Sequence, residues 1–367
     1  MFLSLNQKSI ALASAILIGS TGQAMAQSNT QEVSIDFQGW VGEDEFACGE
    51  SYNQVGVAET TITPTDFRLY VSDIALVDRD GNTVPIELEQ DGKWQYKNTA
   101  LLDFEDGSGA CDNGTTETNT SIVGTVPEGD YESLQFTLGV PKNLNHEDAA
   151  IAPSPLNLTS MWWNWQGGYK FLRADLETDS AIANVANTSS TTYSQDGESN
   201  VQINRQTTSS TSQGTSQSTT QTSNQTSLFK NGQGTRSQSS STRTTRTNSS
   251  DDSRSSSDVN HQASSNSYLI HIGSTGCKDS AQSNLFGCVN PNRSTIVLED
   301  FNPEDNVVIV DLAELLYESD LSTNQANTPA GCMSSPEDSD CSPIIQRLGL
   351  SFDGATSAEG QRLFFVE

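Results

Sequence analysis

Two kinds of side chain in this sequence can do chemistry that the rest of the chain cannot: imidazole and indole. Histidine is scarce and stands at His146, His261 and His271. His261 falls within a Ser/Thr/Gln-rich tract. His146 follows Pro141-Lys142-Asn143-Leu144-Asn145, a loop after an apolar strand. His271 lies inside the strand Tyr268-Leu269-Ile270-His271-Ile272-Gly273. Two neutral imidazoles, distant in the chain, can converge on one metal ion. The competing reading makes each an ordinary hydrogen-bonded histidine, the commoner role of an isolated one.

The indoles cluster. Met161-Trp162-Trp163-Asn164-Trp165-Gln166-Gly167-Gly168-Tyr169-Lys170-Phe171 is an unusually aromatic run. At strand period Trp163 and Trp165 share one face and Trp162 takes the other. Core packing is the ordinary explanation of such a run, and Met161 reads as a core methionine or, alternatively, a thioether ligand. Trp40 differs. Val33, Ile35 and Phe37 point inward, so the same period turns Trp40 to the opposite face, just before Gly42-Glu43-Asp44-Glu45. A solvent-facing indole outside the core register calls for a function.

Cysteine supplies structure rather than catalysis. Cys48, Cys111, Cys277, Cys288, Cys332 and Cys341 form an even set, and no C-x-x-C spacing suggests a thiolate metal site. In an exported chain this reads as disulfides, with connectivity open. Short loops favour Cys277 with Cys288 and Cys332 with Cys341, leaving Cys48 for Cys111. Enzyme signatures are missing: the sequence has no G-x-S-x-G, H-E-x-x-H, Walker or dinucleotide glycine motif. Asp78-Arg79-Asp80-Gly81-Asn82, with Glu89 in the twelfth place, has the outline of a calcium loop, but strand residues intervene and a hairpin turn is expected.

Export is read from the first residues. Lys8 gives a basic start, Ile10 to Ile18 an apolar stretch too short to span a bilayer, and Ala24-Met25-Ala26 a cleavage site. Residues 1–26 are therefore expected to be a signal peptide, with no cysteine at the cleavage point to carry a lipid. The expected location is periplasmic or secreted, in a Gram-negative bacterium, without membrane insertion. A net charge of −29 argues against nucleic acid and anionic membrane as partners.

Around these residues the chain alternates apolar and polar as strands do: Val33 to Phe37, Phe67 to Val77, Val84 to Leu88, Tyr131 to Val140, Ser267 to Ile272, Thr295 to Leu298 and Asn306 to Val310. Asp311 to Glu318 is the one convincing short helix, with Leu312, Leu315 and Leu316 on one face. Residues 179–266 collapse to Ser, Thr, Gln and Asn and are expected to be a disordered insertion. In that tract Arg205, Lys230, Arg236, Arg243, Arg246 and Arg254 nearly balance Asp196, Glu198, Asp251, Asp252 and Asp258. The predicted fold is all-β: an antiparallel β-sandwich or barrel-like single domain with long loops and three disulfides. It is built from residues 27–178 and 267–367.

The chain resembles the MbnP family of periplasmic copper-binding proteins, also described as metallo-mystery pair four-Cys motif proteins. The resemblance lies in Phe46-Ala47-Cys48-Gly49, Phe67-Arg68-Leu69-Tyr70-Val71-Ser72-Asp73, Ala100-Leu101-Leu102-Asp103-Phe104-Glu105, Gly139-Val140-Pro141 with Asn145-His146, Met161 to Arg173, His271-Ile272-Gly273-Ser274-Thr275-Gly276-Cys277 and Gly331-Cys332-Met333. It departs in the long tract between Arg173 and Ser267. The resemblance implies one copper ion held by two histidines and a tryptophan oxidised to kynurenine. It also implies a partner that performs the oxidation, a di-haem cytochrome c peroxidase-type protein of the MauG/MbnH kind. Cu(I) accepts imidazole in low coordination, and an arylamine nitrogen offers a ligand that an intact indole cannot.

Given that resemblance, His146 and His271 are the expected metal ligands. Trp40 is the expected kynurenine, with Trp163 and Trp165 as alternatives. The expected function is copper binding in uptake or homeostasis, without catalysis of its own. The alternative is a structural or adhesive secreted β-sandwich without metal.

Overall fold

A computed structural model of the chain describes residues 29–186, 189–193, 199–203, 206–207, 266–279, 286–355, 357 and 360–367. The expected signal peptide and most of the expected insertion, His261 included, lie outside the described residues.

Strand Thr30–Val41 shows how the pattern becomes a sheet. Val33, Ile35, Phe37 and Val41 are buried, while Ser34, Asp36, Gln38 and Trp40 face the other way. It runs antiparallel to Ser121–Pro127 and parallel to Val308–Asp311, in a six-stranded sheet edged by Phe364–Val366 and Glu87–Leu88. A larger, eleven-stranded sheet is built on Thr60–Asp78. Its main order runs from Ser294–Glu299 through Tyr131–Leu138, Thr60–Asp78, Gly168–Thr178 and Ser267–Gly273 to Gly331–Cys332. The two sheets bury one shared core. Ile35 and Phe37 belong to it with Phe67, Leu69, Phe136, Ile270 and Ile272, and Phe37 meets Phe136 edge-on at 5.9 Å.

The larger sheet is also covered on its outer face. Tyr70, Leu101, Tyr169 and Phe171 point away from the shared core and pack under Val140, Leu144, Leu156 and Met161. Two apolar faces explain why Phe67 to Val77 reads as a nearly continuous apolar run. The connection after Leu138 is thereby pressed against the sheet, and it carries His146.

The all-β reading holds, and the cysteines pair as Cys48–Cys111, Cys277–Cys288 and Cys332–Cys341. Among the described residues pairing is not purely antiparallel: three strand pairs are parallel, the third being Ala183–Ala186 with Thr323–Gln325. That third pair lies beyond residue 179. Ile182 packs on the main core as well. Farther on, Ser189–Tyr193 pairs with Ser199–Ile203. The expected helix forms as Leu312–Leu316, with the Asp311 carboxylate accepting from the amides of Ala313 and Glu314. A second helix, Cys341–Arg347, has no counterpart in the sequence reading. At Asp78 the turn reading is right: its carboxylate accepts from the amides of Asp80 and Asn82 and closes the hairpin.

Candidate metal centre

His271 stands on the outer face of the larger sheet. Its neighbours Ile270 and Ile272 point into the shared core, so His271 and Gly273 are turned outward. Ser334 pins this strand by donating to the His271 carbonyl and accepting from the Gly273 amide, each at 2.9 Å. The His271 ring is buried, and its Nε2 lies 2.7 Å from Oδ1 of Asp175 on the neighbouring strand. Burial disfavours the imidazolium and lowers the pKa of His271; the Asp175 carboxylate opposes this, while nearby Lys170 and Arg173 act with burial. With Nε2–H donating to the carboxylate, the neutral ring carries its lone pair on Nδ1. A carboxylate behind a histidine in this way orients a metal ligand and raises its basicity.

Asp175 is itself held. Burial alone would raise its pKa, but His271 and Arg173 outweigh burial and keep the carboxyl well below the usual range. Arg173 bridges Asp175 at 2.6 Å and Asp66 at 3.0 Å. Asp66 pairs with Arg68, and Arg68 reaches Glu105 at 3.5 Å. These charges line the same outer face, and Asp66, Arg68 and Glu105 are almost wholly buried. Such a network is costly to bury unless every member is paired, and it fixes the Asp175 carboxylate in place. Burial, with Arg173 nearby, pushes the Lys170 ammonium down to about 8, and its Nζ donates to the Ser160 carbonyl at 2.8 Å.

The tryptophan hairpin, Trp162–Asn164 against Gly168–Thr178, adjoins both histidines. Trp163 lies across Gly273, two residues beyond His271 on the same face. A Cβ on Gly273 would come within 2.6 Å of that indole and of the Tyr169 carbonyl, so only glycine admits this contact. At the turn, Trp165 presents its carbonyl to Nδ1 of His146 at 3.2 Å. Gly168, with φ +76°, lets the chain pass so close to Asn145 that a Cβ would meet the Asn145 carbonyl at 2.4 Å. Asn145 in turn accepts from the Tyr169 amide at 3.0 Å, tying the His146 loop to the hairpin. Burial lowers the His146 pKa, against the Trp165 carbonyl. With Nδ1–H donating to that carbonyl, Nε2 is the lone-pair nitrogen. It faces Asn145 Nδ2 at 3.4 Å and Cys288 Sγ at 3.7 Å.

The sequence-predicted residues therefore divide. His271, Trp163, Trp165 and His146 gather around one hairpin. Trp40 does not join them: it is half-buried on the outer face of the six-stranded sheet, its Nε1 donating to Gln38 at 3.3 Å. The whole shared core separates it from the face that bears His271. Period-two alternation gave its side of the strand correctly but says nothing of which sheet the strand joins. Met161 is buried in the outer apolar cluster with Trp162 packed against it, as a core methionine should be. The sequence reading missed Asp175, Arg173, Asp66 and Arg68. Their signal was present as charges at alternate positions in Asp66-Phe67-Arg68 and Arg173-Ala174-Asp175, inside otherwise apolar strands.

Each imidazole has one nitrogen engaged by an oxygen acceptor: Nε2 of His271 by Asp175 and Nδ1 of His146 by the Trp165 carbonyl. No helix among the described residues is long and apolar enough to cross a membrane.

Comparison with known proteins gives one consistent result. A family model described as MbnP matches residues 30–245. Among solved structures, MbnP from Methylosinus trichosporium is similar at 25% identity with a TM-score of 0.62, covering 92% of this chain and 98% of that one. No curated protein matches the chain.

Proposed function

The chain belongs to the MbnP family, and we propose that it is an exported copper-binding protein of the periplasm, acting in copper uptake or homeostasis without catalysis of its own. The observation that carries this reading is the tryptophan hairpin. Its Trp163 ring rests on the strand of His271 while its Trp165 carbonyl takes the imidazole of His146. Nδ1 of His271 and Nε2 of His146 would hold the ion. Copper bound there is the cargo, and Cu(I) is the form that two imidazoles suit.

The third ligand is assigned to Trp163 after opening to kynurenine, in place of Trp40. Trp163 shares the outward face with His271 and lines an open groove with Gly276, Cys277 and Met333, where an oxidising partner can reach it. Trp162 is packed into the apolar cluster, and Trp165, though exposed, offers its backbone to His146. The partner is proposed to be a di-haem cytochrome c peroxidase-type protein.

The test uses protein from its native host. Peptide mass spectrometry is expected to find loss of one carbon and gain of one oxygen at Trp163. The variant His146→Ala/His271→Ala is expected to lose stoichiometric copper while its circular dichroism stays unchanged. Retained copper in that variant removes the site, and five unmodified tryptophans with no metal favour the adhesive sandwich.

A further inference from the structure

The disulfide hairpin beside His146 places three soft donors together. Cys277 and Cys288 stand directly opposite across the antiparallel strands Thr275–Asp279 and Phe286–Asn290. Both residues are half-buried, whereas the Cys48–Cys111 bond has only Cys48 half-buried and Cys332–Cys341 is buried at both ends. Cys277 lines the open groove with Trp163 and Met333. Nε2 of His146 lies 3.7 Å from Sγ of Cys288, and one donor atom from each of the three residues falls within 4.8 Å of the others.

That spacing is informative. A thiolate at about 2.3 Å and an imidazole at about 2.0–2.1 Å from one ion are about 3.6–3.8 Å apart at tetrahedral to trigonal angles. The sulfur and nitrogen thus already have the separation of co-ligands, with the Sγ–Sγ bond alone withholding the thiolates.

We propose that the Cys277–Cys288 disulfide is a reversible cover on a second site, in which Cys277, Cys288 and His146 take a soft d10 cation once the bond is reduced. The reductant is a dithiol, either a thioredoxin-fold protein or a small molecule. Its thiolate attacks Sγ of Cys277 from the groove, and Cys288 leaves as thiolate. The second thiol of the reductant then displaces Cys277 and closes the reductant's own disulfide, so two electrons and two protons pass to the pair. Metal binding sends the two thiol protons to solvent. The Trp165 carbonyl on Nδ1 keeps Nε2 of His146 directed at the sulfurs throughout. The inference shares His146 with the proposed copper site but needs neither His271 nor a modified tryptophan.

The full chain is reduced under argon with a limiting phosphine, alkylated in part for mapping, and titrated with Cd(II) as an optical probe. Cys277 and Cys288 should be labelled before the other four cysteines. A thiolate-to-cadmium charge-transfer band should then saturate at one equivalent. His146→Ala should weaken cadmium binding about tenfold or more, His271→Ala should leave it unchanged, and Cys277→Ser/Cys288→Ser should abolish the band with both other disulfides intact. Earlier opening of either of the other two disulfides overturns the proposal. So does a missing band in protein mapped as reduced at Cys277 and Cys288, or a band indifferent to His146→Ala. Failure here with copper still bound by the oxidised protein sinks this site alone. Loss of copper dependence on His271 with cadmium binding intact sinks only the first.

Discussion

Asp175 decides how His271 can act. With the carboxylate on Nε2, the ring presents Nδ1 in a fixed direction, and an asparagine in its place removes the charge that supports basicity. Asp175→Asn is therefore expected to weaken copper binding about 10–100-fold while His146 remains in place, which competition against a chromophoric Cu(I) chelator would measure. An unchanged affinity would mean that His271 is no ligand. Both histidines have pKa values lowered by burial, so folded and unfolded chains differ in proton uptake. Below the ordinary histidine pKa, about 6.5, the unfolded state takes protons that the folded state refuses. The stability this gives is complete above that pH and is lost as pH falls toward the folded values. Acid should therefore weaken fold and copper binding together. The two histidines stand out in the sequence because only one other exists. Their partners do not, since Asp175 and Arg173 become special only when two strands lie side by side.

At the level of elements, the tryptophan hairpin works because the neighbouring strand ends in a residue without a side chain. Gly273→Ala would drive a methyl into the Trp163 ring and the Tyr169 carbonyl. The expected cost is about 1–3 kcal/mol of stability, read as a lowered melting temperature and an altered tryptophan emission. Copper capacity should fall with it, since the hairpin is displaced from the His271 strand. Normal melting and emission would place the indole elsewhere. Alternation in Thr30–Val41 was readable because one of its faces is polar. In Thr60–Asp78 the second apolar layer hid the alternation, and the outer cluster that presses the His146 loop onto the sheet went unseen. The helix Cys341–Arg347 escaped for another reason. It spans only two turns, contains Pro343, and is anchored by the Cys332–Cys341 bond rather than by a long apolar stripe.

For the molecule as a whole, the polar insertion interrupts a sheet without breaking it. The strands Gly168–Thr178 and Ser267–Gly273 are antiparallel neighbours, and Thr178 donates its amide to the Asn266 carbonyl at 2.8 Å. The chain thus leaves and re-enters the sheet at one place. Composition alone does not carry the docking of Ile182 and Ala183–Ala186, which depends on contacts with residues far along the chain. Loop length enters stability only logarithmically, at about 0.6 kcal/mol per doubling. Replacing residues 208–265 with a short Gly/Ser linker should therefore keep the fold and its copper site, with stability unchanged or raised by roughly 1–3 kcal/mol. Since the tract is close to charge-balanced, nearly all of the −29 stays on the folded body, and the shortened protein should still elute late from an anion exchanger. Denaturant unfolding and copper titration of the two forms make the comparison. A shortened chain that misfolds or loses copper would show the insertion to be part of the working structure, and the two pieces of the sheet would then no longer count as one self-sufficient domain.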